Sequence, residues 1–481
     1  ARALLGSWLE SVGHGADPAG LLELMNADGF RHAELERIAR RTHRRRLAGA
    51  ADRVLGAVAD PARLPEAGDE LLEAFVPAIP YIASATILGE ERSRLRRREP
   101  DEPRRAALVV DGAGGVHGVT HTVEWIRERG VPGWDVEVIG TDARVDRRLP
   151  SVAEVEVPFY AGLSLGVPSA PELVETLAGG DYDLVHLTAP GPAGVMAAVA
   201  AKIAGRPLIA SHHTDLVSYA RLRSNDPAVG ALAASALRAF FSQAELVLSP
   251  SFSADRGLEQ LGIEPERVAR WGRGVDLSLY DPALRDPASL PGEVSVLYAG
   301  RLTKEKGIEL LAESFELARR RDPRLHLVLA GGGPEEEALR SRLGEHATFL
   351  GWLERDQLAR AYASADLFCF CSRTDTYGQV ITEAQASGLP VVAVGEGGPA
   401  SLIRHGANGY LCRPEAAEIA SAVAQLAASP FLRESLGRGG RADTRGLDWE
   451  HSLAQLGAGY ERALVRARGA ERVAGLARSA A

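Results

Sequence analysis

DLFCFCSRTDTYGQVITEAQASGLPVVAV, residues 366–394, decides the fold. LFCFC and PVVAV are short, continuous apolar runs of the kind left by strands buried on both faces. Between them the chain turns at Thr376-Tyr377-Gly378, and a helix is predicted from about Gln379. Strand, helix and strand in so short a span make a parallel crossover. The same stretch places two carboxylates, Asp375 and Glu383, around the glycine turn. Eight residues of ideal helix turn through about 800°, so the two acids would not share a face of one helix. With Asp375 on the loop and Glu383 on the helix, both can meet one ligand from two sides. The N–H groups of the helix's first turn lie between them, suited to anionic oxygen. An acidic turn that merely caps a helix is the structural alternative, and this motif alone does not separate the two.

Outward from this stretch the same grammar repeats. VSVLYAG (294–300) precedes a helix with Ile308, Leu311, Phe315 and Ala318 on one face, and LHLVLAGGG and ATFLGWL follow. Earlier, AALVV (106–110), DVEVIGT, VAEVEVP, YDLVHLTAP, PLIASHHTD and AELVLSPS alternate with helical stretches. The expected architecture is α/β: two doubly wound, Rossmann-like domains over 104–285 and 286–450. A helical, charged accessory region covers 1–103, joined by the linker-like RRREPDEPRR, and C-terminal helices over 451–481 are expected to return to the first domain. A chain of 481 residues has room for these cores.

The net charge of −9 argues against nucleic acid as a partner. Of the three cysteines, Cys369 and Cys371 sit inside an apolar run and read as core residues in a reducing compartment. No signal peptide and no apolar run of eighteen residues is apparent, so no membrane span is expected. The arginine-rich helices before residue 100 could lie on anionic lipid, but their acids nearly balance them, and a solvated or protein-facing role is preferred.

Candidate site residues cluster just after strands, where open α/β sheets bind ligands. Only three lysines occur, Lys202, Lys304 and Lys306, and two fall in GRLTKEKG. Arg301 and Lys306 there are two cations at a strand end beside a helix start, suited to a pyrophosphate; a solvated charged turn is the alternative. Gly332, in the run Gly331–Gly333, and Gly115 and Gly118, in DGAGGVHGV, would let backbone approach a phosphate or sugar closely. His212 or His213 ends another strand, with a structural role as the alternative. The Asp-x-Asp of DYD (181–183) precedes a strand and so reads as a turn, and no metal site is expected.

Taken together, GRLTKEKGIELL, AGGGP, FLGWL, YASADLF and DTYGQVITEAQASGLPVVA, with GGVHGVTHTV, SHHTD and GVDLSLYDP, resemble the retaining family-4 glycosyltransferases of the GT-B fold. The resemblance covers about 106–465, and VPFYAGLSLGVP and SHHTDLVSYA are similar to the bacterial α-mannosyl- and α-glucosyltransferases that glycosylate lipids. It implies two facing Rossmann-like domains. It further implies retaining transfer of a hexosyl group from a nucleoside-diphosphate sugar, of GDP-mannose or UDP-glucose type, to a hydroxyl acceptor, a lipid or a glycan. No metal or other cofactor is expected. Arg301 and Lys306 match the pair on the donor pyrophosphate. Asp375 lies near the transferred sugar and Glu383 on the ribose, flanked by Gly378 and Gln379. His213 matches the histidine near a sugar hydroxyl and the reacting centre, and Gly118 matches a loop near the donor phosphates or acceptor. The resemblance also implies a cytoplasmic location, with transient contact at the inner membrane face. A sugar-nucleotide epimerase, or a non-catalytic sugar-nucleotide binding protein, is the alternative.

Overall fold

The structure, a computed structural model, describes residues 2–13, 20, 26, 31–59, 63–96, 99, 101–112, 118–156, 164–223 and 227–479. Its packing forms two compact units. One comprises residues 1–211, 239–246 and 460–481, the other 212–238 and 247–459.

The first unit opens with helices α1 (Arg2–Ser11), α2 (His32–Ala59), α3 (Leu64–Phe75) and α4 (Ile79–Leu95). Trp8, Leu9 and Val12 bury against Leu35, Ala39 and Tyr81. Farther along α2, Leu47 and Ala50 join Ala74 in covering Val155, Leu165 and Val167 of an antiparallel hairpin. The RRTHRRR run is divided between protein and solvent: His43 is buried and Arg40 half-buried, while Arg41, Arg44, Arg45 and Arg46 are exposed. Arg40 and Arg44 pair with Glu172, and Arg40 also with Glu175, on the helix Ala170–Gly179. The fully buried His43 contacts the Ala74 carbonyl through Nδ1 at 2.7 Å and accepts the Ala170 N–H through Nε2 at 3.2 Å. The run is thus in part protein-facing, at Arg40 and Arg44, and in part solvated, at Arg41 and Arg45.

The expectation that no long apolar run exists is corrected. Glu66–Leu95 is a helical stretch of 30 residues long and apolar enough, by length and composition, to cross a membrane, and 28% of its apolar window is buried. Scattered polar residues and two prolines hide it from a count of consecutive apolar residues. Pro77 and Pro80 each stand in the first turn of a helical segment, where proline's missing N–H costs nothing.

Strands β1 (Arg104–Val109), β2 (Trp134–Gly140), β3 (Arg147–Arg148), β4 (Ser151–Glu156), β5 (Ser164–Pro168), β6 (Leu184–Leu187) and β7 (Leu208–Ser211) follow. Within this unit β3-β2-β1-β6-β7 are neighbours in that order, all parallel. Asp181 forms a turn before β6 with φ 53° and an ion pair to Arg96 at 3.0 Å, as the reading of DYD expects. At the C-terminal end of the chain the sequence predicts several helices. One continuous helix, Trp449–Ser479, is found, and its Tyr460 hydroxyl lies 2.9 Å from His186 on β6.

The second unit carries the parallel pair β8 (Leu246–Ser249) and β9 (Val268–Arg270). Its main sheet is formed by β10 (Val294–Ala299), β11 (Leu325–Ala330), β12 (Ala347–Gly351), β13 (Leu367–Phe370), β14 (Val391–Val394) and β15 (Gly409–Cys412). All six are parallel, in the order β12-β11-β10-β13-β14-β15. Every residue of β10, β13 and β14 is buried, which is why β13 and β14 read as unbroken apolar runs and β10 as one interrupted only by Ser295. Tyr298, Phe368 and Phe370 stack through the core, and Cys369, Cys371 and Cys412 are buried and unpaired, as expected. The chain winds outward from β10 in one direction and from β13 in the other. The winding therefore reverses between β10 and β13, where a ligand crevice forms beyond the strand ends.

Candidate active site: two loops at the switch point

Both loops singled out in the sequence leave the sheet at this reversal. After β10 the chain passes Gly300 and Arg301, makes a 3-10 turn over Lys304–Lys306, and enters the helix Ile308–Arg321 through Gly307. Gly307 is left-handed, at φ 71°, and a β-carbon on it would overlap the Cys371 carbonyl oxygen. Glycine is what lets this turn lie against the end of β13. Ser372 and Thr374 hydroxyls then donate to the Glu305 carbonyl, at 3.3 and 3.1 Å, and tie the two loops together.

The consequence is a tight ion pair. Lys306 Nζ lies 2.8 and 2.9 Å from the two carboxylate oxygens of Asp375. The side chains are 16% and 19% exposed. Burial would push the Lys306 ammonium down, but the Asp375 carboxylate outweighs it and holds the ammonium above its usual range. Arg301 pairs with Glu305 at 3.3 Å. The Leu302 N–H donates to the Gly332 carbonyl at 2.9 Å, which joins the Gly331–Gly333 run to the same loop.

After Asp375, Gly378 adopts φ 93° and starts the helix Gln379–Ala386, where the sequence predicts it. Glu383 lies one turn in. Tyr362 donates to it at 3.2 Å, and Tyr280 and Gln379 also approach it. Burial pushes its carboxyl up to about 7 against these donors and the charge of Arg355. A nearby cavity of about 150 Å³ is lined by His212, Asp215, Ser218, Arg373, Asp375 and Thr376.

His213 belongs to the same unit and reaches the same loop. Its carbonyl accepts from the Thr376 hydroxyl at 2.7 Å, and its Nδ1 meets the Arg273 guanidinium. The segment 271–274 is bound to the acid loop as well. Tyr377 donates to the Arg273 carbonyl at 3.0 Å and Gln379 to that of Gly274 at 2.9 Å. The structure thus brings Arg301, Lys306, Gly332, Asp375, Gly378, Gln379, Glu383 and His213 into one connected set of loops. Gly118 opens a helix, Gly118–Arg129, in the other unit, and Gly115 lies outside the described residues.

Sequence reasoning missed three features. Gly398 donates its N–H to the Asp375 carbonyl at 2.6 Å, and a β-carbon on Gly397 would come within 2.8 Å of that oxygen, so GEGG buttresses the acid loop. Its signal was a glycine-rich run, Gly395 to Gly398, directly after a strand. Arg273, in WGRGVD, left no pattern. At the switch point of the first unit, between β1 and β6, Asp111 accepts N–H groups from Ala193 and Gly194 at 2.8 and 2.9 Å. That helix start is filled by the protein's own carboxylate, which burial pushes up to about 6.

Glu383 supplies a pH dependence. Its folded value, near 7, exceeds the ordinary carboxyl value, so the stability it contributes is whole below the ordinary value and is lost as pH rises through about 7. A ligand whose hydroxyls donate to Glu383 would favour the carboxylate, so its binding would run the other way. The affinity for such a ligand should rise by about tenfold from pH 6 to pH 8 as the group ionises. Calorimetry in buffers of different ionisation enthalpy should show proton release at pH 6.5. Glu383→Gln should abolish both effects, and an unchanged pH profile in that variant would contradict this assignment.

Two Rossmann-like parallel sheets, with a basic loop and an acid-x7-acid loop at the switch point of one, define a glycosyltransferase of the GT-B class. Within that class the chain belongs to family 4. Residues 114–279 match the model of Glycosyltransferase Family 4, and residues 283–443 that of glycosyl transferases group 1. The chain is 35% identical to a GDP-mannose-dependent alpha-mannosyltransferase of Mycolicibacterium smegmatis, over 75% of this chain and 98% of that one. It is 31% identical to a D-inositol 3-phosphate glycosyltransferase of Catenulispora acidiphila, over 75% and 94%. Among solved structures, a sucrose-phosphate synthase from Thermosynechococcus elongatus shares the fold with a TM-score of 0.59 at 22% identity, over 75% of this chain and 99% of that one. Anabaena HepE, solved with UDP and glucose, shares it with a TM-score of 0.58 at 22% identity, over 74% and 98%.

Proposed function

We propose that the protein is a retaining mannosyltransferase. It takes the sugar from GDP-mannose and passes it to a hydroxyl of a lipid or glycan, without a metal or other cofactor. The observation that carries this reading is the Lys306–Asp375 pair, set by glycine turns at the switch point of the second unit's sheet. The names of the relatives support mannose and GDP as the donor's parts.

In the reaction the C1–O bond to the diphosphate breaks and a C1–O bond to the acceptor forms. The acceptor's proton leaves with the released diphosphate. The growing charge on the leaving oxygen is compensated by Lys306, Arg301 and the helix start at Gly378, groups already in place before the bond breaks. Asp375 lies by the transferred sugar and orients Lys306. Glu383 accepts from the ribose hydroxyls, and His213 bonds a sugar hydroxyl. With Asp375 held by Lys306, we assign no covalent nucleophile; attack comes from the face the leaving group vacates, which retains the anomeric configuration.

A lipid acceptor lies at a membrane surface, and α4 suits one. It exposes Ile87, Leu88 and Leu95 beside Arg92, apolar contact next to a positive charge, while Arg94 pairs with Glu91 and Arg96, just past the helix, with Asp181. We place this contact at the cytoplasmic face. Flotation of the full chain with anionic vesicles checks it.

The test of the function is incubation with GDP-mannose or UDP-glucose and a panel of hydroxyl acceptors, reading released nucleotide and the product's anomeric NMR signal. Acceptor-dependent GDP release with an α-linked product is the expected result. Isomerised donor without acceptor would replace this reading with the epimerase one.

A further inference from the structure

Arg273 is the residue in this neighbourhood whose placement the proposed reaction leaves unexplained. The residue is 9% exposed, and burial lowers its guanidinium to about 10. Among the described residues no carboxylate pairs with it, and its Nη1 is buried without a hydrogen-bond partner. A buried, unpaired charge is costly and is retained only for some return. The guanidinium carbon lies over the Trp271 ring, 4.4 Å from its centre, and the other terminal nitrogen meets His213 Nδ1. Trp271 also packs edge-on against the His213 ring at 5.8 Å. The carbonyl of Arg273 is held by Tyr377 and that of Gly274 by Gln379, so this segment moves with the acid loop.

Chemistry fixes what this contact does. Every nitrogen of a guanidinium is a donor and none accepts. An imidazole nitrogen facing it must therefore be the one without a proton, and the proton of the neutral ring must be on Nε2. A protonated ring would turn an N–H toward a fixed cation.

We propose that Arg273 is a positioning residue that locks His213 as the neutral Nε2–H tautomer, making it a hydrogen-bond donor to the sugar and not a proton acceptor. The proposal rests on the glycosyltransferase reading for what Nε2–H meets, but the lock itself is a property of the free protein. Hydrogen bonding by a donor of fixed tautomer needs no rearrangement when substrate arrives, which is the return on the buried charge.

The test has two arms. In ¹⁵N-labelled protein without substrate, long-range ¹H–¹⁵N spectra at pH 7 read the tautomer of His213, assigned by the signal missing in His213→Gln. The expected spectrum shows a protonated Nε2 and an unprotonated Nδ1. In Arg273→Met the two nitrogens should move toward each other as the tautomers mix. Its melting temperature should not fall, because a buried unpaired charge is removed. The second arm is kinetic: kcat/KM in Arg273→Met should fall on the order of tenfold, as for other partners that orient a functional histidine, and Arg273→Lys, a donor-only cation that cannot reproduce the contact with the Trp271 ring, should recover part of it. A wild-type His213 found as Nδ1–H or as the imidazolium overturns the lock, whatever Arg273→Met does. A locked Nε2–H ring in a protein that transfers no sugar leaves the lock standing and overturns the function proposed above. A locked ring with full activity in Arg273→Met overturns its role in positioning.

Discussion

Lys306→Ala should reduce kcat by roughly two to three orders of magnitude, the usual loss when one preorganised charge is removed from a leaving group. The size follows from where the ammonium stands. It is 16% exposed and bonded to both oxygens of Asp375, so its position is fixed before substrate arrives. Water that enters in its place must reorganise as charge develops. Lys306→Arg should recover only part of the rate, because a planar fork cannot reproduce a compact point charge over that carboxylate. Removing the lysine also leaves Asp375 without its cation, so the variant should melt lower than the wild type. The double variant Lys306→Ala/Asp375→Ala separates the two effects. Its stability should return toward that of the wild type while its activity stays lost. Activity that returned with stability would mean the pair only holds the loops together.

Gly307→Ala should be among the most damaging small substitutions in the second unit, costing about 3 kcal/mol or more. Alanine in the left-handed region costs roughly 1–2 kcal/mol. The rest comes from the new β-carbon, which would overlap the Cys371 carbonyl and approach its Cβ to 3.2 Å. Backbone on both sides leaves nothing flexible to yield, so the 3-10 turn must lift from the end of β13. Lys306 is the last residue of that turn, and it would leave Asp375. The variant should therefore lose stability and activity together. Gly406→Ala is the control. That glycine has φ 78°, with nothing within 4 Å of the added carbon, so only the conformational cost applies. Comparing the two melting temperatures checks the argument; equal losses would contradict it.

Much of this site was legible because it is local. β13 and β14 are continuous apolar runs, the helix at Gln379 begins where Gly378 turns the chain, and Lys306 stands out in a chain with three lysines. Each signal lies within a few residues of the group it places. What was missed is non-local. Arg273 meets His213 across 60 positions, and Tyr377 holds the Arg273 carbonyl across 104. The pair Tyr280 and Tyr362, which brackets Glu383 from other segments, has no shared pattern either. The raised carboxyl of Glu383 comes from burial, which only packing creates. The apolar stretch at 66–95 escaped for a different reason: helix-compatible prolines and scattered polar residues break the run without breaking the helix. The single C-terminal helix, expected as several, shows that long helical periodicity reports face and not continuity.

On the proposed function, the switch point of the second unit holds a nucleoside-diphosphate sugar by protein charge. A thermal-shift panel of GDP, UDP, ADP, GDP-mannose and UDP-glucose, each with and without EDTA, tests it most directly, because a ligand bound only by the native state raises the melting temperature by mass action. GDP and GDP-mannose should raise it, EDTA should change nothing, and Lys306→Ala should lose the shift. Melting temperatures unmoved by every nucleotide in the panel would contradict it.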